Sequence, residues 1–252
     1  MKVIVIVVSK RPGPILTLGS YAKDCGYEIV ILADPDVFPE HAARYLGIHN
    51  VYQGGKGIGP QTIAAYELAA DLGADYWVRL DDDLPPKTFV DKHGYIDDLN
   101  YVIEELQYCV EETKTGFAGL ANSTNKSWLK EGYSRTWGMI HGGCNIARPS
   151  REGWKYTHPE LPRNGDVWRS AAHRLEDGAV GRVQHIGFDK SLSTLNVSTL
   201  PTDDASTEKA RDMILDQFGK HGVVAFKGWR EIGGKRFPDW HMVRGKNYRQ
   251  KP

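Results

Sequence analysis

Three consecutive carboxylates, Asp81, Asp82 and Asp83, stand between a hydrophobic run and two prolines in "WVRLDDDLPP". Like charges at this spacing repel one another unless a cation compensates them. Oxygen ligands at a strand end suit Mg²⁺ or Mn²⁺, which take one or two carboxylates and complete their shell with phosphate oxygens and water. In an extended strand Asp81 and Asp83 share a face and Asp82 points the other way. The expected metal seat is therefore the pair Asp81 and Asp83, with Asp82 a bystander; the plainer alternative is a solvated acidic turn.

Other residues offer complementary chemistry. Ser9 and Arg11 lie in the turn "SKRPGP", and Lys56 and Gly57 in "GGKGIGP". The second loop has neither the G-x-x-x-x-G-K-[ST] nor the G-x-G-x-x-G spacing, which argues against a mononucleotide loop or dinucleotide fingerprint. Its glycines still allow a backbone to approach a phosphate or sugar at a helix start. Arg11 and Lys56 can face diphosphate oxygens or be ordinary surface charges. Trp128, Tyr133 and Trp137, with Arg135 between them, can stack on a sugar or flipped base or serve as core and lid.

These residues need elements to hold them. "KVIVIVV" is an unbroken β-branched run of the kind that strands buried on both faces require. The chain then reads as strand, helix, strand, helix, short strand, helix, strand, ending at "ADYWVRLDDD". Such alternation predicts right-handed crossovers onto one parallel sheet, with ligands beyond the carboxyl ends of its strands. The loops at Ser9 to Pro14, Asp34, Gly54 to Pro60 and Asp81 to Asp83 then meet at one edge. Later come a long helix in "YIDDLNYVIEELQYCVEET", strands in "GFAGLANS", "WGMIHGGCNIARPS" and "AVGRVQHIGF", a helix in "DVWRSAAHRLEDG", and a last helix with a capping-box pattern at Ser206 or Thr207.

The composition, 40% hydrophobic and 25% charged, is that of a globular chain with a packed core. The short apolar start reads as a strand rather than a signal peptide, and no run suits a bilayer span. Three scattered cysteines without C-x-x-C spacing favour a reduced, cytoplasmic protein. The formal net charge of zero hides an asymmetry: residues 209–252 hold eleven Lys and Arg against four Asp and Glu, so residues 1–208 are acidic by seven. That basic segment interleaves Lys235 and Arg236 with Trp229, Phe237, Trp240 and Tyr248, which suits backbone contact and stacking on nucleic acid. It carries no zinc spacing and no helix-turn-helix signature.

"YWVRLDDDLPP" resembles the D-x-D segment of GT-A glycosyltransferases, and "GIGPQTIAAYELAADLGADYWVRLDDD" resembles that family's glycine-led helix running into it. The likeness extends over residues 1 to about 195 through "GGCNIAR", "RNGDVWRSAAHRLEDG" and "VQHIGFDKS", although Gly165 stands where many members have glutamate. It implies an α/β fold, Rossmann-like, with a mainly parallel central sheet flanked by helices. The implied catalytic domain is 1–200, divided into a nucleotide-binding half (1–84) and an acceptor half (85–200), with a basic carboxyl-terminal extension (201–252) after it. It also implies a nucleotide-sugar donor such as a UDP-sugar, and a divalent metal, Mn²⁺ or Mg²⁺, held by Asp81, Asp83 and His185. Donor contacts fall to Ser9, Arg11, Asp34, Lys56, Gly57 and Asp81, and general base catalysis to Asp166. The acceptor side takes Arg135, Trp137, Gly143, Arg169, Lys235 and Arg236.

The compact size, "GDVWR" and the basic extension are further similar to phage-type DNA glycosyltransferases, including the TET/JBP-associated group. That similarity implies a 5-hydroxymethylated pyrimidine in DNA as acceptor and, for a viral enzyme, the host cytoplasm as location. The alternatives are a saccharide, lipid or protein acceptor, a nucleotidyltransferase on a similar sheet, and a non-catalytic nucleic-acid-binding module.

Overall fold

The computed structural model describes residues 1–149, 158–189, 204–232 and 235–243. The first apolar run forms β1 (Val3–Ser9), followed by α1 (Leu16–Tyr21), β2 (Glu28–Ala33), α2 (Phe38–Arg44), β3 (Asn50–Gln53), α3 (Ile58–Asp71) and β4 (Tyr76–Asp81). Next come short β5 (Phe89–Val90) and β6 (Tyr95–Ile96), α4 (Leu99–Thr113), β7 (Phe117–Ala121), β8 (Tyr133–Thr136) and β9 (Cys144–Ala147). The rest comprises α5 (Gly165–Asp177), β10 (Val180–Phe188), α6 (Asp204–Phe218), β11 (Val224–Ile232) and β12 (Lys235–Met242).

Ten strands make one sheet in the order β3-β2-β1-β4-β9-β7-β10-β5-β6, with β8 also on β10. The pairs β1–β2, β1–β4, β2–β3 and β7–β10 are parallel, and β9 runs antiparallel between β4 and β7. The result is the expected mixed α/β architecture, a mostly parallel central sheet flanked by helices. Period-two alternation divides β1 between two cores. Val3, Val5 and Val7 join the core that includes Leu18 of α1 and Leu106 of α4, while Ile4, Ile6 and Val8 join Ala65, Tyr66 and Ala69 of α3. Helices thus cover both faces, which is why the sequence of β1 is apolar at every position up to its last.

From β1 the chain winds outward through β2 and β3, then returns to place β4 on the other side of β1. The reversal makes a topological switch point, and the crevice beyond the carboxyl ends of β1 and β4 is where such sheets receive ligands. Ser9 and Asp81 end these two strands.

The segment read from sequence as a basic tail is ordered into a hairpin over much of its length. Strands β11 and β12 pair antiparallel from Val224↔Met242 to Ile232↔Lys235. Helix α6 joins α5 in a third core of Val167, Trp168, Ala171, Ala210, Ile214 and Phe218. Arg174 of α5 donates to the carbonyls of Val223 and Val243, tying the hairpin down. The capping-box expectation is corrected: α6 starts at Asp204, so Ser206 and Thr207 lie within its first turn, where Thr207 is buried. The expected boundary near residue 200 lies outside the described residues, as does the end of the tail with Tyr248.

Candidate active site

The acidic run is a strand end followed by a turn, so strand alternation does not govern it. β4 stops at Asp81, and Asp82 and Asp83 belong to the turn. Thr17 of α1 holds that turn: its hydroxyl donates to the Asp81 carbonyl and accepts from Leu84 N, and its own N–H donates to the Asp82 carbonyl. Asp82 is therefore no outward-facing bystander. Its carboxylate is buried, accepts from Ser9 Oγ at 2.8 Å and from Lys10 N at 3.2 Å, and lies 3.6 Å from Arg11. His41 Nε2, within 3.0 Å of both Ser9 Oγ and the Arg11 carbonyl, closes this network. The network welds the loop after β1 to the turn after β4.

A cavity of about 250 Å³ opens there, lined by Lys10, Arg11, Arg79, Asp81, Asp82, Gly142, Arg163, Asn164, Asp166 and Arg169, with Ile58 and Thr62 from α3. Two helices start at its wall, α3 at Ile58 and α5 at Gly165. They meet so closely that a Cβ on Gly165 would lie 2.5 Å from Ile58, and one on Gly59 would lie 2.1 Å from the His158 carbonyl oxygen. This contact is the physical reason for glycine at position 165. Both helix starts bring the partial positive end of a helix dipole to the cavity wall.

Asp166 lies in the first turn of α5, and its Oδ1 accepts from Val167 N at 2.9 Å. Asn164 takes the N-cap position in the left-handed region, φ 59°, without a side-chain cap bond. Asparagine tolerates that conformation better than most residues. Three residues along α5, buried Arg169 donates to Asn145 Oδ1 at 2.9 Å. Asn145 in turn donates to the carbonyls of His141 and Gly142, shaping the loop whose Gly143 carbonyl accepts from Asp81 N.

The electrostatics of the cavity are one-sided. Five cationic side chains, Lys10, Arg11, Arg79, Arg163 and Arg169, face three carboxylates, Asp81, Asp82 and Asp166. Burial, and then the charge of Arg79, lowers Lys10 to about 8 and Arg169 to about 10. Burial pushes Asp82 upward against the pull of Arg11 and Ser9. The buried side-chain atoms of the lining without a hydrogen-bond partner, Arg11 Nε and Nη1, Arg163 Nε and Asn164 Nδ2, are all donors, Nη1 having Asp83 as its ionic partner. A cavity lined by more cations than carboxylates suits an acceptor-rich anion.

Sequence reasoning thus brought Arg11, Asp81, Asp166 and Arg169 to one cavity, with Ser9 and Asp83 beside it. It missed Lys10, Arg79, Arg163 and Asn164. The remaining donor-side residues lie at the same sheet edge but outside the lining: Asp34 accepts from Asp36 N and Gly57 N, and Lys56 pairs with Asp36. Gly143 adjoins Asp81, where an added Cβ would sit 3.3 Å from its carboxylate. Trp137 lines a separate groove with Met139, Arg230 and Trp240. Arg135 donates to the carbonyls of Thr113 and Asp177, away from the cavity. Lys235 opens β12, its side chain outside the described residues, and Arg236 stacks 4.4 Å above the Trp229 ring.

The expected metal ligands do not converge. Asp81 Oδ1 faces Arg79 at 3.2 Å, Asp83 Oδ2 faces Arg11 at 3.0 Å, and His185 Nε2 lies 2.7 Å from Glu105 of α4. Among the described residues, the one group of three metal-type ligand atoms within 4.8 Å of one another is His173, Glu176 and Asp177 on α5. These are held internally, His173 by Tyr66 at 2.6 Å and Asp177 by Gly116 N. The carboxylates of Asp81 and Asp83 each lie against a guanidinium group, which sets them apart from a free acidic pair.

No protein-family model and no curated protein matches the chain. Among solved structures it is similar to S. aureus TarS 1–349, at 16% identity and TM-score 0.48, covering 88% of this chain and 74% of that one. It is also similar to a putative nucleotide-diphospho-sugar transferase from Desulfovibrio desulfuricans G20, at 15% identity and TM-score 0.43, covering 86% and 99%. A third is a CMP:2-keto-3-deoxy-manno-octonic acid synthetase complexed with CTP, at 14% identity and TM-score 0.44, covering 86% and 100%. The chemistry open to the cavity is set by its own residues.

Proposed function

We propose that the chain is a GT-A glycosyltransferase that moves a sugar from a nucleoside-diphosphate sugar, a UDP-sugar in the first instance, to a hydroxyl acceptor. The observation that carries this reading is the meeting, in one cavity at the switch point, of a cation-rich donor lining and the carboxylate of Asp166. The diphosphate lies against Lys10, Arg11, Arg79 and Arg163. Asp166 takes the proton of the acceptor hydroxyl, and the oxygen so freed forms the new bond to the anomeric carbon. The bond from that carbon to the phosphate oxygen breaks, and its electron pair leaves on the nucleoside diphosphate. Preorganised cations stabilise that developing charge most strongly where water is excluded.

The acceptor proposed for first trial is a 5-hydroxymethylated pyrimidine in DNA, supported by the basic surplus of residues 209–252. The test is to incubate the protein with a panel of nucleotide sugars and follow nucleoside diphosphate release, with hydroxymethylated DNA in one arm and saccharide acceptors in another. Acceptor-dependent diphosphate release is the expected result. Pyrophosphate release would assign attack at the α-phosphate and make the chain a nucleotidyltransferase.

A further inference from the structure

The run that suggested a metal is, in the folded protein, a holder of arginines. Asp83 and Asp82 bracket Arg11 at 3.0 and 3.6 Å, and Asp81 faces Arg79 at 3.2 Å. A divalent ion here would have to displace those guanidinium groups and leave them near it. The pocket's needs run the other way. Its lining side chains, Lys10, Arg11, Arg79, Arg163, Asn164 and Arg169, are rich in N–H donors, which a cation cannot satisfy. Arg163 is itself more than nine-tenths buried.

Charge matching gives the same answer. Five lining cations face three lining carboxylates and Asp83, which pairs with Arg11, so one positive charge is left in excess. A nucleotide sugar's diphosphate carries two negative charges at neutral pH, which this surplus and the N–H donors of the lining offset. A divalent cation would add two more positive charges to a cavity whose cations already repel one another. The starts of α3 and α5 contribute further positive potential at the same wall.

We propose that this pocket binds its donor's diphosphate and stabilises the leaving group without a divalent cation, through Lys10, Arg11, Arg79, Arg163 and Asn164, with Asp81, Asp82 and Asp83 orienting the arginines. Asp81 and Asp83 are positioning residues in this assignment rather than metal ligands. The inference rests on the nucleotide-sugar reading above and specifies how its charge is handled.

The experiment is calorimetric titration of the full chain with UDP and with inorganic pyrophosphate, in EDTA and again in excess Mn²⁺ or Mg²⁺. UDP affinity is expected to agree within about threefold across these conditions. Arg79→Met, checked for folding by thermal melting, should weaken binding in EDTA by roughly tenfold or more, since it removes a charge-assisted contact. Asp81→Asn separates the two accounts most sharply: any change in UDP affinity should be the same in EDTA and in excess Mn²⁺, whereas loss of a metal ligand would weaken only metal-dependent binding. UDP binding that occurs only with Mn²⁺ or Mg²⁺ overturns the inference and leaves the nucleotide-sugar reading standing. Binding of neither UDP nor pyrophosphate under any condition removes that reading and the inference with it.

Discussion

The switch-point cavity and the carboxyl-terminal hairpin both gather arginines, and they use them in opposite ways. In the hairpin, Arg236 lies on the Trp229 ring and near Asp204 and Glu208 of α6, and Arg230 pairs with Asp239; from α6, Arg211 pairs with Asp212 and sits over Phe226 and Trp229. These cations are neutralised and stacked within their own unit. In the cavity, the lining cations outnumber the carboxylates around them. Three arginines of a basic stretch are therefore spent within the structure, and a formally acidic stretch built the cation-rich cavity. Local charge counts are a poor guide to where charge is left available, because pairing is decided by residues far apart in the chain.

Substitutions on the two sides of this contrast should differ in scale. The largest effect is expected for Asp166→Asn, which keeps the shape but removes the base: turnover should fall by about 10²–10⁴-fold while UDP affinity is retained, as steady-state kinetics beside calorimetry would show. Unchanged turnover would remove the general base from the account.

A smaller but diagnostic effect concerns Lys10. Burial first and Arg79 second lower it to about 8 in the free protein, against an upward pull from Asp81, Asp34 and Asp82. Its charge is present below that pH and lost above it, so UDP affinity should decline as pH rises through about 8. Lys10→Met should flatten that decline and weaken binding at neutral pH by roughly tenfold.

Gly165→Ala probes the frame that brings the two helix starts together. The added methyl would sit 2.5 Å from Ile58, and overpacking of that kind costs about 1–3 kcal/mol, readable as a lower denaturation midpoint. At the small end, Arg236→Ala in the hairpin should cost no more than about 1 kcal/mol of stability and leave UDP affinity unaltered. If Arg236→Ala instead weakened UDP binding as much as Lys10→Met, the contrast between the two regions would fail.

Much of the fold was legible because it is written locally. β1, β2 and β4 are buried on both faces and so read as apolar runs, and the crossover helices carry their own spacing. The hairpin was missed although a signal was present: Gly233-Gly234 separates two stretches of strand-like residues, a recognised hairpin pattern. Charge drew the reading toward a tail instead. Strands β5, β6 and β8 are two to four residues long and have no periodicity to detect.

The site was legible in outline, as Asp81, Asp166, Arg11 and Arg169 show. Lys10 and Arg79 were passed over because a cation beside or within a strand reads as one polar position among apolar ones. Arg163 gains its place from Thr207 of α6 and from the Phe237 ring, 5.9 Å away, contacts between segments distant in sequence. The role of Asp82 was misjudged because strand alternation was carried one step past the strand's end.

The central claim is that an anion, with no bridging metal, fills the space between the loop after β1 and the start of α5. The most direct test is a crystal grown or soaked with UDP and Mn²⁺, recorded with anomalous data at the manganese edge. The expected map places diphosphate oxygens within hydrogen-bonding distance of Arg11, Arg163 and Asn164, with no anomalous peak beside them. An anomalous peak joining Asp81 and Asp83 to the diphosphate would contradict the claim.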